Sequence, residues 1–162
     1  MRLAAGLAVL GAATLGAQPV ATAAAAKEAA SANSSAAVII TVSNLRSAKG
    51  VVIACMTTKE TIFPKCREDP SAHRTVVKAN GGSAKGLTIR FDDVKPGDYA
   101  IALLHDENND GKANRAMGMM PREGFGFSRD AKVRMGPPKF RDAVFTHGAA
   151  DQALTISMRY FL

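Results

Sequence analysis

The chain has no tryptophan, two tyrosines and two cysteines in 162 residues. It holds three histidines, and His73 and His147 have no partner at a metal- or base-forming spacing. No C-x-x-C occurs, which argues against dithiol redox catalysis. Ser128 is not in a G-x-S-x-G nucleophile elbow. His105 and Asp106 are adjacent, and neighbours on a strand point to opposite faces, so they make no base–orienter pair. Zinc-finger, RNP and recognition-helix patterns are missing, so nucleic acid is not an expected partner. From Val38 onward no helical 3.6-residue period of useful length appears. Together these gaps point away from an enzyme and away from a helical fold.

What is present starts with an export signature. Met1 and Arg2 precede an uncharged run of 15 residues, Leu3 to Ala17, and then the Ala-rich stretch Ala21 to Ala26 with its A-x-A options. The run falls short of the roughly 20 residues a bilayer span needs. Residues 1–26 are therefore expected to be a signal peptide, 27–37 a flexible lead-in and 38–162 one domain in the periplasm or outside the cell, with no transmembrane span after cleavage. An uncleaved anchor is the competing reading. In an oxidising compartment Cys55 and Cys66 are expected to pair, free thiols being the alternative.

Short alternating runs then follow one another. Val38 to Ser43 alternates, and Val51 to Met56 is apolar and β-branched, fit for a central strand. His73 to Lys78 is a weaker strand. Leu87, Ile89 and Phe91 alternate with polar residues. Lys95-Pro96-Gly97-Asp98 fits a type II turn. Tyr99 to His105 is apolar on both faces, as in a strand buried on both sides. Residues 106–140 show no periodic element and read as one long loop, anchored by Phe125, Phe127 and Phe140. Ala143 to Thr146 and Leu154 to Tyr160 complete the set. About seven short strands predict an all-β domain, a β-sandwich of immunoglobulin or transthyretin type.

The long loop opens with Asp106-Glu107-Asn108-Asn109-Asp110-Gly111. Asp106, Asn108 and Asp110 alternate before a glycine, the first half of an EF-hand loop. Alternating oxygens on a sharply turning backbone converge on one hard cation, with Lys112 offering a backbone carbonyl. The twelfth position is Met117 instead of Glu, so a Ca²⁺ site must borrow an acid, Glu107 or Glu123. The competing reading is a turn in which Asp and Asn cap their own backbone. A copper reading also stands: Met117, Met119, Met120 and Met135 lie near His105 in sequence, and thioether with imidazole suits Cu(I). Met is equally a core filler.

Charge is segregated. Between Lys112 and Arg141 eight basic residues face only Glu123 and Asp130, a surplus of six. That equals the chain's formal +7 less Arg2. Lys112, Arg115, Arg122 and Arg129 are the candidates to meet an anionic cell-envelope component, and a solvated loop face is the plainer alternative.

Three blocks in order carry a resemblance. They are Gly97-x-Tyr99-Ala100 leading to His105-Asp106-x-Asn108-x-x-Gly111-Lys112, then Gly118-x-x-Pro121-x-Glu123-Gly124-x-Gly126-Phe127-Ser128, then Gly136-Pro137-Pro138-x-Phe140. The chain resembles, from about Val38 to Tyr160, the bacterial family called domain of unknown function 2141. The resemblance implies an exported all-β domain with this loop as its hallmark, and brings no activity with it. Ala113-Asn114 stands where the family often has Leu-Asp, so one possible carboxylate is here an amide.

Overall fold

The computed structural model describes residues 35–66, 69–79, 86–116, 120–134 and 136–161. The expected signal peptide, lead-in residues 27–34, and Met117, Met119 and Met135 lie outside them, as do the side chains of Arg115 and Met120. Among the described residues no helix is long and apolar enough to cross a membrane.

The chain is mostly β-strand, in two sheets, with little helix. The smaller sheet orders β10 (Gln152–Ser157), β1 (Ala36–Ser43) and β4 (Leu87–Val94). β1 begins inside the expected lead-in because Ala37 N–H is held by Asp151 Oδ1 at 2.7 Å. It runs parallel to β10 and antiparallel to β4. Asp93, at φ +55°, is the extra residue of a bulge that lets both Phe91 and Val94 face inward.

The larger sheet orders β3 (His73–Lys78), β2 (Val51–Thr57), β5 (Gly97–Asp106) and β8 (Gly124–Phe127). β9 (Phe145–His147) pairs with the start of β5. A two-residue ribbon, β6 (Arg115–Ala116) with β7 (Met120–Pro121), stands apart. Inward residues of both sheets share one core that includes Val38, Ile40, Ile89, Met56, Ile101 and Ile156. The apolar alternation of each strand supplies it.

β5 is buried on both faces, as its sequence predicts. Its outer residue Ala100 joins a second cluster with Phe125, Phe127, Ala131 and Ala143, against which Phe63 and Phe140 pack. Disulfide Cys55–Cys66 closes the segment that carries Phe63, whose ring meets Phe127 and Phe140 edge-on at 5.9 and 6.0 Å. Beside it Asp69 is buried and accepts hydrogen bonds from Thr57 Oγ1 (2.7 Å), Lys59 Nζ (2.7 Å) and Ser71 N and Oγ. Lys59 first, then Ser71 and Thr57, hold its carboxyl well below the ordinary range. The double variant Cys55→Ser, Cys66→Ser is expected to lose about 3 kcal/mol in urea unfolding, from the closed loop's entropy.

Four expectations need correction. The segment 106–140 is not one loop. β8 is a full member of the larger sheet, and among the described residues eight strands fill the two sheets, close to the seven or so expected. Its Gly-Phe-Gly-Phe looks like punctuation, yet the glycines face inward where a side chain has no room. A Cβ at Gly126 would lie 2.9 Å from Ile156 Cγ2. The turn at 95–98 is not type II: Gly97 lacks a positive φ because it already pairs with His147 in β5. Phe140–Ala143 is one helical turn, α1, and the strand starts only at Phe145. Phe140 and Ala143 sit three apart and both reach the second cluster, a helical spacing. Ser128 Oγ fixes the turn, donating to Ala143 O at 2.5 Å. The last strand ends at Ser157, not Tyr160.

Candidate metal centre

β5 delivers Asp106 to the outer side of the larger sheet, next to Leu104 in alternation, and buries it completely. The chain then turns back over it. Asp106 Oδ1 accepts from Asp110 N (3.2 Å) and Oδ2 from Gly111 N (2.6 Å). Asn109 and Gly111 both take positive φ, +60° and +71°. Asn108 Oδ1 accepts from Asp110 N (3.3 Å), and Asp110 Oδ1 from Lys112 N (2.9 Å). These are the self-capping contacts expected of such a turn.

The turn also gathers carboxylates. β8 starts one residue after Glu123, which is buried. One ligand-capable oxygen each from Asp106, Asp110 and Glu123 lies within 4.8 Å of the other two. Oxygens bound to one Ca²⁺ at about 2.4 Å are at most about 4.8 Å apart, and the set lies within that limit. Asn114 braces it: its Nδ2 donates to Asp110 Oδ2 (2.7 Å) and its N–H to Glu123 Oε2 (3.1 Å). Burial, then the charges of Asp106, Asp110 and Glu107, push the Glu123 carboxyl up. Asp110 is drawn down, first by the Asn114 amide and then by the Lys112 N–H.

Of the two acids that sequence offers to complete the set, the structure brings in Glu123 and turns Glu107 elsewhere. Glu107 pairs with Arg46 and accepts from Ser47 Oγ at 2.5 Å. Arg46 first and Ser47 with it hold the Glu107 carboxyl down to about 2, against its burial. Asn108 spends its side-chain amide on Asp110, donating to Oδ2 at 3.0 Å. Lys112 touches the site through its N–H, and its side chain is exposed.

His105 faces the opposite, inner side. Its Nε2 lies 2.9 Å from Lys49 O and Nδ1 2.8 Å from Tyr160 Oη. A carbonyl only accepts, so Nε2 carries the proton and, in the neutral ring, Nδ1 accepts from Tyr160. Both nitrogens are spent on structure. Arg46 joins this network: its guanidinium stands 4.5 Å over the Tyr160 ring and donates to Arg122 O at 2.9 Å. Sequence reasoning missed Arg46, Ser47 and Tyr160, because nothing local links residues 55 or more positions from their partners.

The cations do not form one row. Lys112, Arg122 and Arg129 are all exposed. Arg129, at φ +57°, donates to Val144 O at 3.3 Å.

A pH prediction arises from Glu107. Its folded value is depressed, so its stabilisation is whole above about 4.5 and fades as pH falls towards 2. Glu107→Gln is expected to cost about 1 kcal/mol at pH 7 and to flatten the acid limb of urea midpoints over that window.

No curated protein and no solved structure matches the chain. A model of the family described as "Uncharacterized protein conserved in bacteria (DUF2141)" matches residues 40–155. That span runs from β1 into β10 and takes in the whole acidic turn, and the chain belongs to this family.

Proposed function

We propose that this chain is an exported binding or structural module of the periplasm or cell exterior, and not an enzyme. Its acidic turn holds one structural Ca²⁺. Two facing sheets around a shared core support an immunoglobulin/transthyretin-like sandwich as its scaffold. The observation that carries the metal reading is the approach of Asp106, Asp110 and Glu123, two of them buried, within 4.8 Å. Three hard oxygen donors suit Ca²⁺ and not a soft metal. The ion would tie the end of β5 to the start of β8 and order the segment between them. That segment opens the basic stretch, which is read here as facing an anionic envelope component.

The test is titration calorimetry of Ca²⁺ into the chain with parallel melting curves. Heat of binding and a raised Tm are expected. No heat and no shift at millimolar Ca²⁺ would remove the metal from the reading.

A further inference from the structure

The outer face of the larger sheet carries an apolar row across four strands. The registers place Val76, Ile53, Leu104 and Phe125 side by side on β3, β2, β5 and β8. Their strand neighbours Val77, Val52 and Leu103 turn inward to the main core, so the row lies on the opposite side. It continues to Phe161, whose ring lies 5.2 Å from that of Phe125. Both ends are open to solvent: Val76 is 61% exposed and Phe161 50%. These are the exposed large hydrophobics among the described residues, and one row joins them. Scattered single apolar residues need no explanation, whereas an aligned row does.

Cations border the row at its β3 end, and the buried Asp106 follows Leu104 on the same face. Arg74 and Lys78 stand two positions either side of Val76, on the same face of β3, and both are exposed. The segment 131–143 packs through Ala131 and Ala143 against Ala100 and Phe127 on the adjoining part of this face. It exposes Lys132, Arg134, Lys139 and Arg141 to solvent, with Asp142 beside Arg141.

We propose that this face docks onto an anionic lipid surface. Val76 and Phe161 enter the headgroup boundary while the flanking cations meet lipid phosphates. The proposal narrows the anionic-partner reading above and rests on it. A polysaccharide would engage the cations but offer the row no apolar phase, so the row is what selects lipid.

The experiment uses the chain from Lys27, which retains every described residue. Co-sedimentation is measured with phosphatidylglycerol and with phosphatidylcholine vesicles, and retention on heparin serves as a soluble polyanion control. Binding to the anionic vesicles alone is expected, weakened by 0.5 M salt. The exposed substitutions Val76→Ser and Phe161→Ser should together reduce it at least tenfold with heparin retention and Tm unchanged. Vesicle binding that ignores both substitutions overturns the docking face. Heparin retention without vesicle binding overturns lipid but leaves the anionic partner standing. Loss of both interactions in the wild-type chain removes both readings. Substitutions that shift only the oligomeric state make the row a self-association surface and overturn the proposal.

Discussion

Gly50→Ala is expected to cost about 4 kcal/mol and to lower Tm by roughly 15 °C. Gly50 immediately precedes β2 and takes φ +66°, a region that costs an L-residue about 1–2 kcal/mol. A Cβ there would lie 1.9 Å from Asp106 O, 2.7 Å from Glu107 Cα and 2.9 Å from Asp106 C. All three are backbone atoms and cannot swing aside. Relief requires the start of β2 to leave the end of β5, which breaks the Val51–Asp106 pair and moves the first ligand of the candidate site. Gly148→Ala is the control. Nothing lies within 4 Å of its added Cβ, and a change within about 0.5 kcal/mol is expected. Urea unfolding of the two variants measures the difference. Equal stabilities would mean that the close passage of β2 over Asp106 is not part of the fold.

The second large effect separates the metal's contribution from that of its ligands. At a Ca²⁺ concentration 100 times Kd an ion bound as proposed would add about 2.7 kcal/mol, or roughly 10 °C in Tm. Glu123→Gln and Asp106→Asn are each expected to abolish most of that gain. Without Ca²⁺ the two should diverge. The Glu123 carboxyl is pushed up in the folded chain, so its ionisation opposes folding. Metal-free stability therefore falls as pH rises from about 4.5 through the folded value. Glu123→Gln removes that penalty, keeps an oxygen for Asn114 N–H, and should be neutral to slightly stabilising at pH 7. Asp106→Asn retains only one acceptor oxygen for two backbone N–H donors and should be destabilising by about 1–3 kcal/mol. Melting curves with and without Ca²⁺, at pH 5 and pH 7, read all of this. A Ca²⁺ shift that survives Glu123→Gln intact would place the ion elsewhere.

The strands were legible because each carries its own period. Val38 to Ser43, Leu87 to Phe91 and the doubly apolar β5 stand where their alternation predicts. β8 was not, because Gly124 and Gly126 answer to distant partners. A Cβ at Gly124 would lie 2.2 Å from the Tyr160 ring, a neighbour 36 positions away in sequence. α1 was hidden for a similar reason. Four residues are too few to show a helical period, and their turn is stabilised by Ser128 and the second apolar cluster.

The candidate site divides in the same way. Asp106, Asn108, Asp110 and Gly111 were readable as a turn that concentrates oxygen, because a tight turn's chemistry lies within its own few residues. The choice between Glu107 and Glu123 was not readable from spacing. Glu107 is the nearer in sequence, but Arg46 and Ser47 from the β1–β2 connection claim it. Glu123 arrives because β8 pairs alongside β5 and places it opposite Asp106.

The sequence by itself determined the all-β class, the family and the acidic turn at the end of the central strand. Each of these is set by local pattern or composition. Only the tertiary structure decided which carboxylate completes the cluster, why the glycines of β8 are needed, and that an apolar row crosses the outer face among cations. Those are set by contacts between strands far apart in the chain, where packing and register, not local preference, choose the neighbours.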